Sequence, residues 1–135
     1  MSRAGLLLWA TLALASCARD PAVEASGRNT YLRYCAACHG SEGRGDGPVA
    51  GSLNTLVPDL TRIAQRNSGE FPADSVRQAV DGRSLVVAHG PRAMPVWGYE
   101  LWVEEGGDID AEREARDLIR RLVTYLAEIQ DTERD

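Results

Sequence analysis

The chain has 135 residues, a length typical of one small domain, and its 15 basic and 20 acidic residues give a formal net charge of −5. Every basic residue is an arginine, since the sequence contains no lysine. A net acidic chain lacks the basic face that nucleic acids require, so we expect no nucleic-acid partner.

The first sixteen residues have the pattern of an export signal. Arg3 precedes an apolar run of about a dozen residues, shorter than the roughly 20 that cross a bilayer. The run ends in Leu14-Ala15-Ser16-Cys17, which resembles a bacterial lipobox. An ordinary cut after Ala15 is the alternative, but it would leave Cys17 as an unpaired thiol in an exported chain. We therefore predict a signal peptide over residues 1–16 and a lipid on Cys17.

The segment after the lipobox is predicted to be a tether. Residues 17–26 contain one proline and no helical stripe, and nine extended residues reach at most about 30 Å. The folded domain is expected over residues 27–130, with 131–135 as a short tail. The lipid would then hold the domain at the periplasmic side of a bacterial membrane.

Three segments have the apolar periodicity of helices, and no segment alternates like a strand of useful length. The first covers residues 27–38. The second follows Pro72, places Val76 and Val80 on one face, and is expected to stop at Gly82.

The third helical pattern is the clearest. Apolar residues recur at i, i+3 and i+4 spacing from Ala115 to Ile129, and Asp108 or Asp110 is placed to cap the start. Residues 100–135 carry twelve acidic residues and five arginines, a net −7. We expect this charge to lie on a solvated helix face.

A long loop separates the first two predicted helices. Residues 40–70 are rich in Gly, Pro, Ser and Asn, and a structureless loop of that length is unusual in a compact domain. Three short helices also bury little apolar surface. Both features are explained if the loops wrap around a flat, apolar bound group that completes the core of an all-α domain.

The stretch Cys35-Ala-Ala-Cys38-His39 holds two of the three cysteines and one of the two histidines. A dithiol redox motif is one interpretation, but it is expected in a βαβ context that the sequence does not show. A zinc site is another, but adjacent Cys38 and His39 rarely face one metal, and a second ligand pair is missing. Covalent haem attachment is the chemistry for which C-x-x-C-H is typical. We favour haem, with His39 as an axial ligand of the iron.

Met94 is the candidate for the second axial ligand. It is the only methionine left after signal removal, 55 residues beyond His39, and Pro95 stiffens the backbone behind it. A haem iron that transfers electrons has two axial ligands. Core packing is the alternative role of a methionine, and His89 is the rival ligand.

Residues 27–129 resemble a small bacterial class I cytochrome c. Gly27 and Tyr31 stand eight and four residues before the first motif cysteine, where this family has a small residue and an aromatic that pack on the last helix. Leu122 and Tyr125 resemble the other half of that crossing. The resemblance implies the class I cytochrome c fold, in which three to four helices and long loops surround one covalently bound haem.

The resemblance also implies individual site residues. The loop 43–48 is similar to the one whose proline carbonyl accepts a hydrogen bond from the axial histidine, which makes Pro48 the expected acceptor. Leu60 is expected to face the haem, and Trp97 to pack beside it. Arg92 is a candidate partner for a haem propionate, a surface arginine being the alternative.

The implied function is the transfer of single electrons between redox proteins, without a small-molecule substrate and without enzymatic chemistry. The lipobox, the absence of lysine and the acidic C-terminal segment depart from mitochondrial relatives, which present a ring of lysines around the haem edge. Partner choice therefore does not carry over from the resemblance. A fixed electron-entry subunit of an oxidase or dehydrogenase complex is the second hypothesis, and a haem ligand sensor or small peroxidase is the third.

Overall fold

The protein is described from a computed structural model, which covers residues 21–83 and 94–131. Within those residues there are six α-helices and no strand. The helices are α1 (Pro21–Tyr34), α2 (Ala36–His39), α3 (Ile63–Arg66), α4 (Ala73–Asp81), α5 (Trp97–Glu104) and α6 (Ile109–Glu128), with single 3₁₀ turns at Ala50–Ser52 and Leu60–Arg62. The predicted all-α class is confirmed. The predicted signal peptide and residues Cys17, His89 and Arg92 lie outside the described residues.

Helix α6 is the centre of the fold and packs against α1, α4 and α5. The Asp108 carboxylate caps its start by accepting hydrogen bonds from the backbone N–H groups of Asp110 and Ala111, at 2.9 and 2.8 Å. The predicted apolar stripe is buried. Its most buried members are Ala115, Ile119, Leu122 and Leu126.

The crossing of α1 and α6 has the contacts expected from the sequence. A Cβ atom on Gly27 would clash with the carbonyl oxygen of Arg121 and lie 3.0 Å from the Cβ of Tyr125. The fully buried ring of Tyr31 lies 5.3 Å from the ring of Tyr125. Because a glycine allows the two backbones to approach, the aromatic pair can close the crossing.

The first helix differs from its prediction at both ends. It begins at Pro21, so the last six residues of the predicted tether 17–26 are helical; proline is favourable in the first turn because no N–H is needed there. At the other end Cys35, with φ −114°, interrupts the helix between Tyr34 and Ala36. The predicted helix over 27–38 is therefore two helices.

Helix α4 ends as predicted, with Gly82 in the left-handed region at φ 74°. Sequence reasoning missed two helices, α3 and α5. Helix α3 is a single turn of four residues, and α5 is short and has large apolar residues on more than one side. Its Gly98 is buried against the end of α4: a Cβ atom there would lie 2.5 Å from Nε of Arg83 and 2.6 Å from a carboxylate oxygen of Asp81. Packing against α4 therefore positions this helix.

Within α6, the acidic side chains of Asp110, Glu114 and Asp117 lie on a solvated face, as predicted. Arg113, Arg116 and Arg120 are 64–72% exposed and pair with acidic residues three or four positions away on the same helix. No helix in the described ranges combines the length and the apolar character needed to cross a membrane.

Candidate haem site

The C-x-x-C-H motif lines a cavity of about 280 Å³. Three segments form the cavity: the end of α1 with α2, the loop before the second 3₁₀ turn, and the segment leading into α5. The lining residues are Tyr34, Cys35, Cys38, His39, Leu53, Thr55, Leu56, Val57, Pro58, Met94, Pro95 and Trp97. None of them is an acid, an arginine or a lysine, so the slot suits a flat, apolar group.

A single helical turn holds the three residues of the motif. The backbone N–H groups of Cys38 and His39 both donate to the carbonyl of Cys35, at 3.1 and 2.9 Å. Both thiols are free, that of Cys35 buried and that of Cys38 half-buried. Burial raises the pKa of the Cys35 thiol to about 12, with a smaller contribution from Cys38. Both thiols therefore face the same slot.

The imidazole of His39 is half-buried beside this turn. Its Nδ1 lies 3.3 Å from the carbonyl oxygen of Pro58, and burial lowers the pKa of the ring, opposed by that hydrogen bond. A neutral ring that donates from Nδ1 keeps the Nε2 lone pair for a metal. The geometry is that of an oriented ligand.

The acceptor is therefore Pro58, and the prediction of Pro48 is wrong. The backbone N–H groups of Gly45, Gly47 and Val49 donate to the carbonyls of His39, Cys38 and Ala37, at 2.8, 3.1 and 3.1 Å. The segment containing Pro48 thus runs back along α2 and satisfies the carbonyls that end a helix. The chain reaches the imidazole only ten residues later, at Pro58.

The prediction that Leu60 faces the haem is also not supported, since Leu60 is absent from the residues that line the slot. It starts a 3₁₀ turn and packs against the helical core. The Asp59 carboxylate caps this turn by accepting from the N–H of Thr61 at 2.8 Å, which turns the chain toward the core. Val57 and Pro58 form the wall instead.

The predicted residues of the second segment do lie at the cavity. Met94 and Trp97 both line it, and the ring of Trp97 lies 5.5 Å from that of Tyr34. The structure therefore brings Met94, Trp97 and the three motif residues to one slot.

Sequence reasoning missed Tyr34 and the wall formed by Leu53, Leu56 and Val57. Two signals were available: Tyr34 directly precedes the motif, and residues 47–58 carry no charged side chain. An uncharged run of that length inside a loop indicates contact with something apolar.

Tyr34 is tied to the start of the α5–α6 connection. Its hydroxyl donates to the Glu104 carboxylate at 2.9 Å, and Arg33 pairs with the same carboxylate while its guanidinium lies 4.9 Å above the Tyr34 ring. Burial and the Glu104 hydrogen bond raise the pKa of Tyr34. One wall of the slot is thereby joined to α5.

These residues fit a covalently attached haem. Two free thiols lie one helical turn apart, a neutral imidazole is oriented by a backbone carbonyl, and a thioether lies in the same apolar slot. Residues 21–83 and 94–131 contain no group of three His, Cys, Asp or Glu side chains arranged to hold a metal ion, so the zinc alternative gains no support there.

An all-α fold with this site defines a small c-type cytochrome, an electron-transfer protein that carries covalently bound haem c with its iron. The chain belongs to the family described as cytochrome C oxidase, cbb3-type, subunit III, whose model matches residues 22–109. The matched range includes the motif, the cavity loop and Met94. None of the curated proteins and none of the solved structures compared with the chain matches it.

Proposed function

We propose that this protein is a membrane-tethered periplasmic cytochrome that passes single electrons between redox proteins, with His39 and Met94 as the axial ligands of its iron. The observation that carries the proposal is that both side chains line the same apolar cavity as Cys35 and Cys38. When bound, haem supplies a one-electron ferric/ferrous couple, whose potential is raised by methionine and histidine ligation.

Each part of the cavity has a role in this function. Cys35 and Cys38 would hold the group covalently, and the carbonyl of Pro58 keeps the His39 ring in one orientation. The apolar loop residues exclude water. With both axial positions filled, no open position remains for a substrate, so the proposal describes a carrier and not an enzyme.

The tether belongs to the proposal as well. If Cys17 carries lipid, only residues 18–20 separate it from the start of α1 at Pro21, a reach of about 15 Å at most. The domain would then remain close to the membrane. Its effective concentration near membrane-bound partners would replace a high intrinsic affinity.

The first experiment is the optical spectrum of the ferric protein. We expect the weak long-wavelength charge-transfer band of sulfur-to-iron ligation, because Met94 is the only methionine beyond the signal segment. Absence of the band, or carbon monoxide binding to the reduced protein, would contradict Met94 ligation and favour a ligand sensor.

A fixed electron-entry subunit of an oxidase or dehydrogenase complex is the second candidate. The description of the matched family favours it, as do exposed apolar side chains on α5. Gel filtration of detergent-solubilised membranes separates the two. Stoichiometric co-elution with an oxidase or dehydrogenase supports the subunit, and elution as a single small protein supports the free carrier.

A further inference from the structure

Helix α5 and the start of α6 present a cluster of large apolar side chains to solvent. Tyr99, Val103 and Ile109 are 53%, 49% and 77% exposed, and the half-buried Trp102 ring lies 5.8 Å from that of Tyr99. These four residues form what we call the α5 face. Clustered apolar side chains of this kind mark interaction sites more often than isolated ones do.

A hydrogen bond to α6 and packing against the core hold the α5 face in position. The indole N–H of Trp102 donates to the carbonyl of Asp108 at 3.0 Å, which joins α5 to the start of α6. On the opposite side of α5, Gly98 and Leu101 are buried in the core. The outward side chains are therefore displayed by a helix whose position is set by core packing.

Exposed acidic residues flank this face along the chain. Residues 94–112 include six acidic residues and no basic one. We call Glu100, Glu105, Asp108 and Asp110 the acidic rim. Described arginines pair with three of these six acids: Arg33 with Glu104, Arg113 with Asp110, and both Arg83 and Arg116 with Glu112. Four arginines against six acids leave an excess of negative charge.

We propose that the α5 face is the docking surface for a redox protein whose contact patch has an apolar centre and a basic rim. The proposal rests on the electron-transfer function above and names the surface and the charge of the partner. Trp97, on the same helix, lines the haem cavity. Because a helix is about 10 Å across, a partner on the α5 face lies about one helix diameter from the cavity.

Charge distinguishes this occupant from two others. An anionic membrane surface attracts basic segments and repels an acidic rim. A second copy of this chain would place one acidic rim against another, and like charges across an interface are unfavourable. Of these three occupants, only a partner with a basic rim binds favourably through both the apolar centre and the acidic rim.

The test uses the haem-loaded protein labelled with ¹⁵N, titrated with unlabelled mitochondrial cytochrome c as a lysine-ringed probe. We expect amide shifts centred on residues 99–110 at low ionic strength and weaker binding as salt is added. Neutralising the rim in the double variant Glu100→Gln/Glu105→Gln should weaken low-salt binding by about 3- to 10-fold. Removing apolar contact in Tyr99→Ser/Val103→Ser should weaken binding at low and high salt alike.

The matched control is Glu70→Gln/Asp74→Asn, which removes the same charge from exposed residues at the start of α4. An equal loss of affinity in this control, shifts centred elsewhere, or no shifts at low ionic strength would overturn the proposal. So would binding of the α5 face to phosphatidylglycerol vesicles or self-association through it. The ferric spectrum of the same samples tests Met94 ligation separately, so failure of docking and failure of the proposed function are distinguishable.

Discussion

At the scale of single residues, the orientation of His39 depends on a carbonyl that the motif does not contain. Pro58 lies nineteen residues downstream of His39, and its carbonyl oxygen lies 3.3 Å from Nδ1 of the His39 ring. The loop reaches that position because the Leu60 N–H donates to the Gly43 carbonyl at 2.6 Å. The C-x-x-C-H spacing specifies which groups attach the haem, and the loop specifies how the axial ring is held.

Replacing the proposed sixth ligand tests the ligand assignment. Met94→Ala should keep covalent haem, lower the reduction potential and let the reduced protein bind carbon monoxide, because the thioether is lost and an axial position opens. Spectroelectrochemistry measures the potential. Val96→Ala, two residues away, is the control and should keep both the charge-transfer band and the potential. An unchanged potential in Met94→Ala would mean that another group ligates the iron.

The hydroxyl of Tyr31 stabilises the end of the motif turn. It donates to the Gly40 carbonyl at 2.5 Å, and that carbonyl also accepts from the Gly43 N–H at 3.2 Å. Tyr31→Phe should lower the free energy of unfolding by about 1 kcal/mol, because the carbonyl keeps one donor. Urea unfolding followed by circular dichroism measures this. Tyr99→Phe, at an exposed ring, should change it by less than about 0.5 kcal/mol; equal losses would contradict the assignment.

At the scale of elements, close approach of backbones decides which helices pack. Gly27→Ala should lower the free energy of unfolding by about 1–3 kcal/mol, because the added methyl group would clash with the Arg121 carbonyl of α6. Gly51→Ala is the matched control, since a Cβ atom there meets nothing within 4 Å. Thermal unfolding of both variants makes the comparison, and similar melting temperatures would mean that the crossing tolerates the methyl group.

Arg83 joins α4 to α6 through two ion pairs. Its guanidinium nitrogens lie 2.8 Å from a carboxylate oxygen of Asp81 in α4 and 2.7 Å from one of Glu112 in α6. Hydrogen bonds from Arg83 are the main reason that the pKa of Asp81 lies below its ordinary value of 3.8 and that of Glu112 below its ordinary value of 4.5. A carboxyl with a lowered folded-state pKa stabilises the fold above its unfolded pKa, and the stabilisation is lost as pH falls through the folded value. This contribution is therefore present at pH 5 and above and disappears below about pH 4.

The variant Arg83→Gln should accordingly reduce stability at neutral pH by about 1 kcal/mol and flatten the loss of stability between pH 5 and pH 3. Urea unfolding at pH 7, 5, 4 and 3 gives both quantities. Arg113→Gln, which breaks an exposed ion pair with Asp110, serves as control and should leave the pH dependence unchanged. If the free energy of unfolding of Arg83→Gln falls between pH 5 and pH 3 as steeply as that of the parent protein, other groups cause the acid sensitivity.

At the scale of the whole molecule, the core and the cofactor site are one structure. The buried cluster is built from α1, α4, α5 and α6, while the half-buried Tyr34, Met94 and Trp97 pack against it and also line the cavity. A haem held in this cavity would therefore contact residues that already touch the helical core, and it would add apolar surface to the thin core expected from composition.

Attachment to the membrane is also a property of the whole molecule. Cys17→Ser should move the protein from the membrane fraction to the soluble periplasmic fraction, because it removes the proposed lipid anchor. Ser16→Ala keeps a small residue before the cysteine and should stay membrane-bound. Fractionation followed by haem staining measures both, and retention of Cys17→Ser in the membrane would reject the lipid anchor.

The sequence by itself determined the features that depend on neighbouring residues: the attachment motif, the period and cap of α6, the glycine end of α4 and the all-α class. Each follows from spacing along one segment, where local geometry decides the outcome. The contact of Gly27 and Tyr31 with α6 was also predictable, because the family resemblance implied that these residues pack on the last helix.

Only the tertiary structure decided that Pro58 and not Pro48 meets His39, that Leu60 packs into the core, and that α5 exists. Each of these depends on hydrogen bonds or packing between segments well separated in the chain, such as His39 with Pro58 or Gly98 with Arg83. The energy of such contacts arises only when the chain has folded, so no local pattern records it.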